Sequence, residues 1–456
     1  MARWVGMLMV LGCGEAVAQQ PGPSATESSS TVIPAIVREI SAARIEHSIR
    51  KLAAFETRHT LSETDSERRG IGAARRWIKA QLDRCSEAAG GRLKVAYDEF
   101  VAEPGRRIPK AATLVNVVAT LVGAQAESRD RIYVVSGHYD SIASDLMDAA
   151  SAAPGANDDA SGTAAMMELA CVMAKHEFDA TLVFMAVAGE EQGLIGSTHW
   201  AKKAKEQGLN IAGMITNDII GSSRGDNGQV VADRVRLFAE GIPEGKELTD
   251  DLRTLIRTGG ENDTPARQLA RFIKQTAEHY VPEMTVDLIY RRDRYLRGGD
   301  HFPFLDQGYP AVRFTEPSED FRHQHQSVRL ENGLQYGDLP EFVDFTYVAN
   351  VTRVNASALA ALALGPAAPR DVQIETIRLE NDTTLRWRPN TEPDVSGYRI
   401  LWRATTSPWW QGQQDVGMVN HFTLKELSKD NLIFAVQALD KDGNASVASY
   451  PRPYRP

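Results

Sequence analysis

Apolar positions change their spacing several times along the chain, and each change marks an element. Ile33, Ile36, Val37, Ile40 and Ile45 share one helical face, and the stretch from Ile33 to about Ala88 predicts two amphipathic helices. Leu93–Tyr97, Thr113–Leu121 and Ile132–Val135 then read as strands, Gly162–Lys175 as a helix and Thr181–Val187 as a strand. A helix over Leu194–Lys205 and a strand over Ile211–Thr216 continue the rhythm. Apolar strands alternating with helices predict an α/β fold with a mixed, largely parallel sheet covered on both faces. Ser222 to Arg297 interrupts the alternation with a Gly-rich, charged segment and a helix near Ala266–His279. An insertion of this length between motif-bearing strands is placed to wall a substrate pocket. Phe342–Leu364 predicts a closing helix.

After Gly365-Pro366 the pattern changes to short strand-like runs: Val372–Ile377, Thr384–Arg388, Tyr398–Arg403, His421–Leu424 and Leu432–Leu439. Asn390–Ser396 and Asp440–Asn444 are turns, and the whole predicts a C-terminal all-β sandwich over 367–456. Trp387, Tyr398 and the strand Phe434–Ala438 followed by Asp442-Gly443-Asn444 resemble a fibronectin type III domain. Its aromatics, Trp409 and Trp410 included, suit either a partner or surface contact or a packed core. The larger domain occupies 33–366.

The first residues read as an export signal. Arg3, the apolar run Trp4–Cys13 and the small-x-small site Ala16-Val17-Ala18 predict a signal peptide over 1–18, too short to span a bilayer. Residues 19–32 read as a flexible Ser- and Pro-containing linker. The mature protein is therefore expected to be secreted or periplasmic, with no membrane span. Cys85 and Cys171 remain, each in a helical pattern without zinc-thiolate spacing, and are expected to be buried free thiols. A net charge of -9 argues against a nucleic-acid partner.

The candidate chemistry sits at strand ends. Ile132–Val135 runs into His138-Tyr139-Asp140, where residues two apart point the same way and a carboxylate can hold an imidazole. Pro154–Gly162 opens the next helix with Asp158-Asp159, and adjacent acids among small residues repel unless a cation lies beside them. Thr181–Val187 delivers Glu190-Glu191, which suits one metal ligand and one proton acceptor. Ile211–Thr216 ends in Asn217-Asp218. Successive strand ends thus present acids at the carboxyl edge of the sheet, where open α/β folds bind ligands. A further histidine comes from Gly298–Phe302 or from Arg322–Gln326. Oxygen and imidazole donors without thiolates favour zinc.

In order and spacing, His138-x-Asp140, Gly155-x-x-Asp158-Asp159-x-Ser161-Gly162, Glu190-Glu191, Asn217-Asp218 and a late histidine resemble the two-zinc exopeptidase family of secreted bacterial leucyl aminopeptidases. The resemblance covers the larger domain from about Ser136 onward. It implies a zinc exopeptidase-like fold, two Zn2+ ions, and an aminopeptidase acting on peptides or proteins. The implied ligands are His138, Asp158, Glu191, Asp218 and His323. One zinc would be held by His138 and Asp218, the other by Glu191 and the late histidine, with Asp158 bridging. Asp140 would support His138, Asp159 would shape the bridging loop, and Glu190 would be the general base to a water shared by the ions. The family often has Asp four residues after the histidine, whereas Ser327 follows His323, so His325 is the alternative. Gly299-Asp300-His301 resembles a Ser-Asp-His stretch that lines the site without binding zinc. The alternatives are a glutaminyl cyclase, similar through the same stretches, a carboxypeptidase using the arginines between Arg291 and Arg297, and a non-catalytic binding protein. Most of those arginines read as a solvated basic face, with Arg297 the one to test.

Overall fold

The computed structural model describes residues 31–243 and 248–454. The expected signal peptide, 1–18, and the expected linker but for its last two residues lie outside the described residues. The first helical stretch forms α1 (Val32–Glu39) and α2 (Ala42–Ala53), because Ser41 accepts a bond from the Arg44 amide and starts a new helix. A third helix, α3 (Gly70–Ala88), follows where two in all were expected; it buries Ile71, Ala74, Ile78 and Leu82.

The strands and helices then run β1 (Leu93–Ala102), β2 (Ala112–Leu121), β3 (Arg131–His138), α4 (Ala160–Met173), β4 (Thr181–Val187), α5 (Ile195–Glu206) and β5 (Asn210–Asn217). The insertion contains β6 (Arg234–Ala239), α6 (Asp250–Arg257), α7 (Pro265–Tyr280) and β7 (Thr285–Ile289). After it come α8 (His301–Asp306), β8 (Ala311–Thr315), the hairpin β9 (Arg329–Glu331) and β10 (Leu334–Tyr336), and α9 (Phe345–Leu364). Eight strands form one sheet in the order β1-β2-β4-β3-β5-β8-β6-β7. Its centre, β4-β3-β5-β8, is parallel, and its flanking pairs β1-β2, β2-β4 and β6-β8 are antiparallel. The insertion therefore extends the sheet by two strands as well as reaching toward the site.

One face of the sheet carries α1–α4, α7 and α9 in a single apolar core, and the other carries α5 and α8. Every residue of β4 is buried, which is why its run is continuously apolar. Cys85 and Cys171 form a disulfide between α3 and α4, with Cα atoms 5.0 Å apart, so the expectation of free thiols is corrected. Periodicity placed each cysteine in a helix, but not the register in which those helices pack. No helix among the described residues is long and apolar enough to cross a membrane.

The C-terminal part holds β11 (Arg370–Glu375), β12 (Thr383–Arg388), β13 (Val395–Ala404), β14 (Gly412–Gly417), β15 (His421–Leu424), β16 (Leu432–Asp440) and β17 (Arg452–Tyr454). They make two sheets, β15-β12-β11-β17 and β14-β13-β16, around Leu385, Trp387, Tyr398, Ile400, Phe434 and Val436. This module is bolted to α7. Asp263, fully buried, pairs with Arg271 at 3.3 Å and with Arg403 at 2.6 Å. Trp410 is buried against both guanidiniums and Trp409 lies over Lys274, so the tryptophan pair serves this internal junction.

Candidate metal centre

The carboxyl edge of the parallel strands brings the strand-end motifs together. β3 ends at His138, β5 runs into Asp218, β4 into Glu190-Glu191, and the turn before α4 carries Asp158. Donor atoms of His138, Asp158 and Asp218 lie within 4.8 Å of one another, as do those of Asp158, Glu191 and His325. Asp158 is common to both groups. His138 Nε2 is 3.1 Å from one Asp158 oxygen, and His325 Nε2 is 2.8 Å from the other and 3.3 Å from Glu191.

The histidine in the second group is therefore His325, and the choice of His323 is corrected. His323 stacks on Phe342, ring centroids 3.6 Å apart, and its Nδ1 lies 3.7 Å from Asp320. The segment around them is a turn rather than a strand, and His325 adopts φ 53°, which swings its side chain to the acids. His301 stays out of both groups: its Nε2 lies 2.8 Å from the Arg292 carbonyl, and burial lowers its pKa to about 4.

Asp140 meets four neighbours. Its carboxylate lies 3.6 Å from His138 Nδ1 and accepts bonds from the Glu190 amide (3.3 Å), the Glu191 amide (3.1 Å) and the Thr60 hydroxyl (3.0 Å). Burial pushes its pKa up, but these partners outweigh burial and hold it below the ordinary value. Asp159 caps α4 through the Gly162 amide at 2.9 Å and accepts the His138 amide at 2.9 Å. Gly155, at φ 50°, has no room for a side chain: a Cβ there would sit 2.4 Å from the Asp158 carbonyl oxygen.

The charges do not balance. Glu190, half-buried, is raised well above the ordinary carboxylate value by burial, with Asp218, Glu191 and Asp300 adding to it against His138. Glu191 is raised by burial and by Asp158 against His325. Asp300 is pushed up to about 7 by burial, against the pull of His138 and the Ser197 hydroxyl. His325 is driven in the opposite direction: Glu191 and Asp158 overcome burial and raise it to about 11. Buried acids in excess and an imidazole held between two carboxylates fit divalent cations, and the thiolate-free donor set fits zinc.

Three residues that the strand-end motifs did not reveal also belong here. Arg313, fully buried in β8, lies 2.9 Å from Asp218 and 3.0 Å from Asp293. A lone arginine inside the apolar run Ala311–Thr315 was the available signal. Arg58 and Asp338 hold the Asp158 turn, and no local pattern marks either. Of the Arg291–Arg297 run, Arg292 pairs with Asp306, and Arg294 and Arg297 pair with Glu319. Arg292 and Arg294 are thus held in ion pairs rather than lying on the solvated basic face expected for most of the run, and Arg297, the one singled out, is paired as well.

Comparison with known proteins gives the family and the fold. Residues 116–335 match the family described as peptidase family M28. A probable zinc metalloprotease of Leptosphaeria maculans is 50% identical, covering 92% of this chain and 97% of its own. One from Pyricularia oryzae is 45% identical over 97% of this chain and 89% of its own. Among solved structures, the LapA aminopeptidase of Legionella pneumophila shares the fold with a TM-score of 0.51 at 19% identity, covering 77% of this chain and 80% of its own. LapB of the same organism gives 0.51 at 18%, over 75% and 79%. Fold and site thus define a zinc-dependent peptidase. The chain belongs to peptidase family M28.

Proposed function

We propose that the protein is an exported aminopeptidase that removes N-terminal residues from peptides, using two zinc ions and Glu190 as general base. The observation that carries this reading is the pair of donor groups sharing Asp158. His138 and Asp218 would hold one ion, Glu191 and His325 the other, and Asp158 both. Bound there, zinc would supply Lewis acidity, lowering the pKa of water and polarising a carbonyl. Glu190 takes the proton of the attacking water at its carboxylate and returns it to the leaving amine. Asp140 keeps Glu190 and Glu191 in place through their amides and orients His138.

The excess of acid also gives the substrate its polarity. Asp300, buried among the site's other acids, offers a carboxylate to the ammonium of a free N-terminus. The nearby arginines are matched to acids of the chain itself: Arg294 and Arg297 to Glu319, Arg313 to Asp218 and Asp293. That disfavours recognition of a C-terminal carboxylate. Export is supported by the signal-like N-terminus and by the Cys85–Cys171 bond, which oxidising compartments favour. The two C-terminal sheets around Trp387 and Tyr398 support the fibronectin type III reading of that module.

The test is a panel of amino-acid p-nitroanilides, N-blocked peptides and N-terminal glutaminyl peptides, assayed with and without chelator. Chelator-sensitive release from free but not blocked N-termini is expected. Cleavage of blocked peptides, or cyclisation of the glutaminyl ones, contradicts the proposal.

A further inference from the structure

The Asp158 turn is gripped from both sides by residues that the family match, 116–335, does not include. Asp338 lies just beyond the β9–β10 hairpin. Its carboxylate accepts the Asn157 amide at 2.8 and 3.0 Å and the Asp158 amide at 2.7 Å, while its carbonyl accepts the Ala156 amide at 3.2 Å. Three consecutive amides of the turn thus point at one residue.

Arg58, before α3, takes the other side. Its guanidinium is fully buried and meets carbonyls rather than a directly paired carboxylate. Nη2 donates to the Gly155 carbonyl at 2.8 Å, Nη1 to those of Pro154 and of Leu52, the latter at 3.1 Å, and Nε to the Tyr139 carbonyl at 2.7 Å. One planar fork therefore ties the turn to the end of α2 and to the residue between His138 and Asp140. Ser141 adds a third tie, accepting the Arg58 amide at 3.1 Å and donating to the Ala153 carbonyl at 2.7 Å.

Asp158 is the residue common to both donor groups, so its position fixes the relation of one group to the other. We propose that Asp338 and Arg58 are positioning residues that clamp the Asp158 turn and thereby set the affinity of both metal ions. This rests on the two-ion reading above. Neither residue reaches substrate; each acts through the backbone carrying Asp158. Asparagine at 338 offers one acceptor where the carboxylate offers two, and lysine at 58 cannot reach several carbonyls at once.

The experiment measures zinc affinity by competition with a chromophoric chelator, together with kcat, KM and melting temperature. It uses the full chain and its Asp338→Asn, Arg58→Lys and Glu392→Gln variants. Glu392 pairs with Arg131 at 3.5 Å, at the far end of β3 from His138, and serves as a control for lost stability alone. The clamp predicts zinc affinity about 10- to 100-fold weaker in Asp338→Asn, a matching fall in kcat and KM within about twofold. Glu392→Gln should keep wild-type zinc affinity. If Asp338→Asn does not fold, Arg58→Lys gives the same reading. Zinc affinity and kcat at wild-type levels in the folded clamp variants overturn the clamp. So does an equal loss of affinity in Glu392→Gln. A wild-type chain that takes up no zinc overturns the two-ion reading itself.

Discussion

Two clusters of buried charge sit in this molecule, and they are built on opposite terms. At the junction with the C-terminal module, Asp263 is met by Arg271 and Arg403, and the spare guanidinium hydrogens go to the carbonyls of Asn262, Pro408 and Ser407. There each oxygen of the buried carboxylate meets a guanidinium, and Arg403 Nε is the atom left without a hydrogen bond. At the carboxyl edge of the sheet, Asp140, Asp158, Asp159, Glu190, Glu191, Asp218 and Asp300 outnumber His138, His325 and Arg313. A cluster whose charges balance holds structure together, whereas one with acid in excess asks for a cation from outside.

The comparison can be broken at either cluster. Glu190→Gln should lower kcat by about a thousandfold, the scale of a lost general base, with zinc content unchanged. Metal analysis beside p-nitroanilide kinetics checks this, and near-normal turnover in the zinc-loaded variant removes Glu190 from the mechanism. His325→Ala should lose zinc and at least about a hundredfold in activity. His323→Ala, whose ring only stacks on Phe342, should stay within about twofold; a reversed outcome would restore His323 as the ligand. Arg403→Met should do the opposite of both. Leaving Asp263 half-paired costs about 3–5 kcal/mol, read as a lower melting temperature, while zinc content stays the same.

The smallest effect concerns Asp179, which lies at the same junction. Burial, with Asp394, Asp440 and Asp442 of the C-terminal module, raises it to about 6 against the pull of Arg131. Unfolded, its pKa is about 3.9. Between about pH 4 and 6 the folded chain keeps a proton that the unfolded chain has released, so stability falls as pH rises through that window and stays lower above it. Asp179→Asn should therefore gain about 1 kcal/mol above pH 6, a modest figure because the group is only half-buried, and nothing below about pH 4. Melting curves at the two pH values decide it.

Most of the fold was legible in the sequence because strand ends carry both pattern and chemistry. β3, β4 and β5 are apolar runs, each ending in the residues that meet at the site. What was hidden depends on relations across the chain. β6 and β7 lay inside a charged segment, and β14, Gly412–Gly417, is an exposed edge strand of mostly polar residues without an apolar run. His325 could not be separated from His323 by spacing, since a left-handed turn rather than a strand decides which ring faces Asp158. Arg58 and Asp338 act on a turn 97 and 180 residues away in sequence, through backbone groups that no side-chain motif records.

The most direct measurement is the zinc content of the purified full chain by elemental analysis, set beside that of His325→Ala. The account predicts two ions per chain, with the variant retaining fewer. A wild-type chain holding one ion or none, or a variant that keeps both, contradicts it.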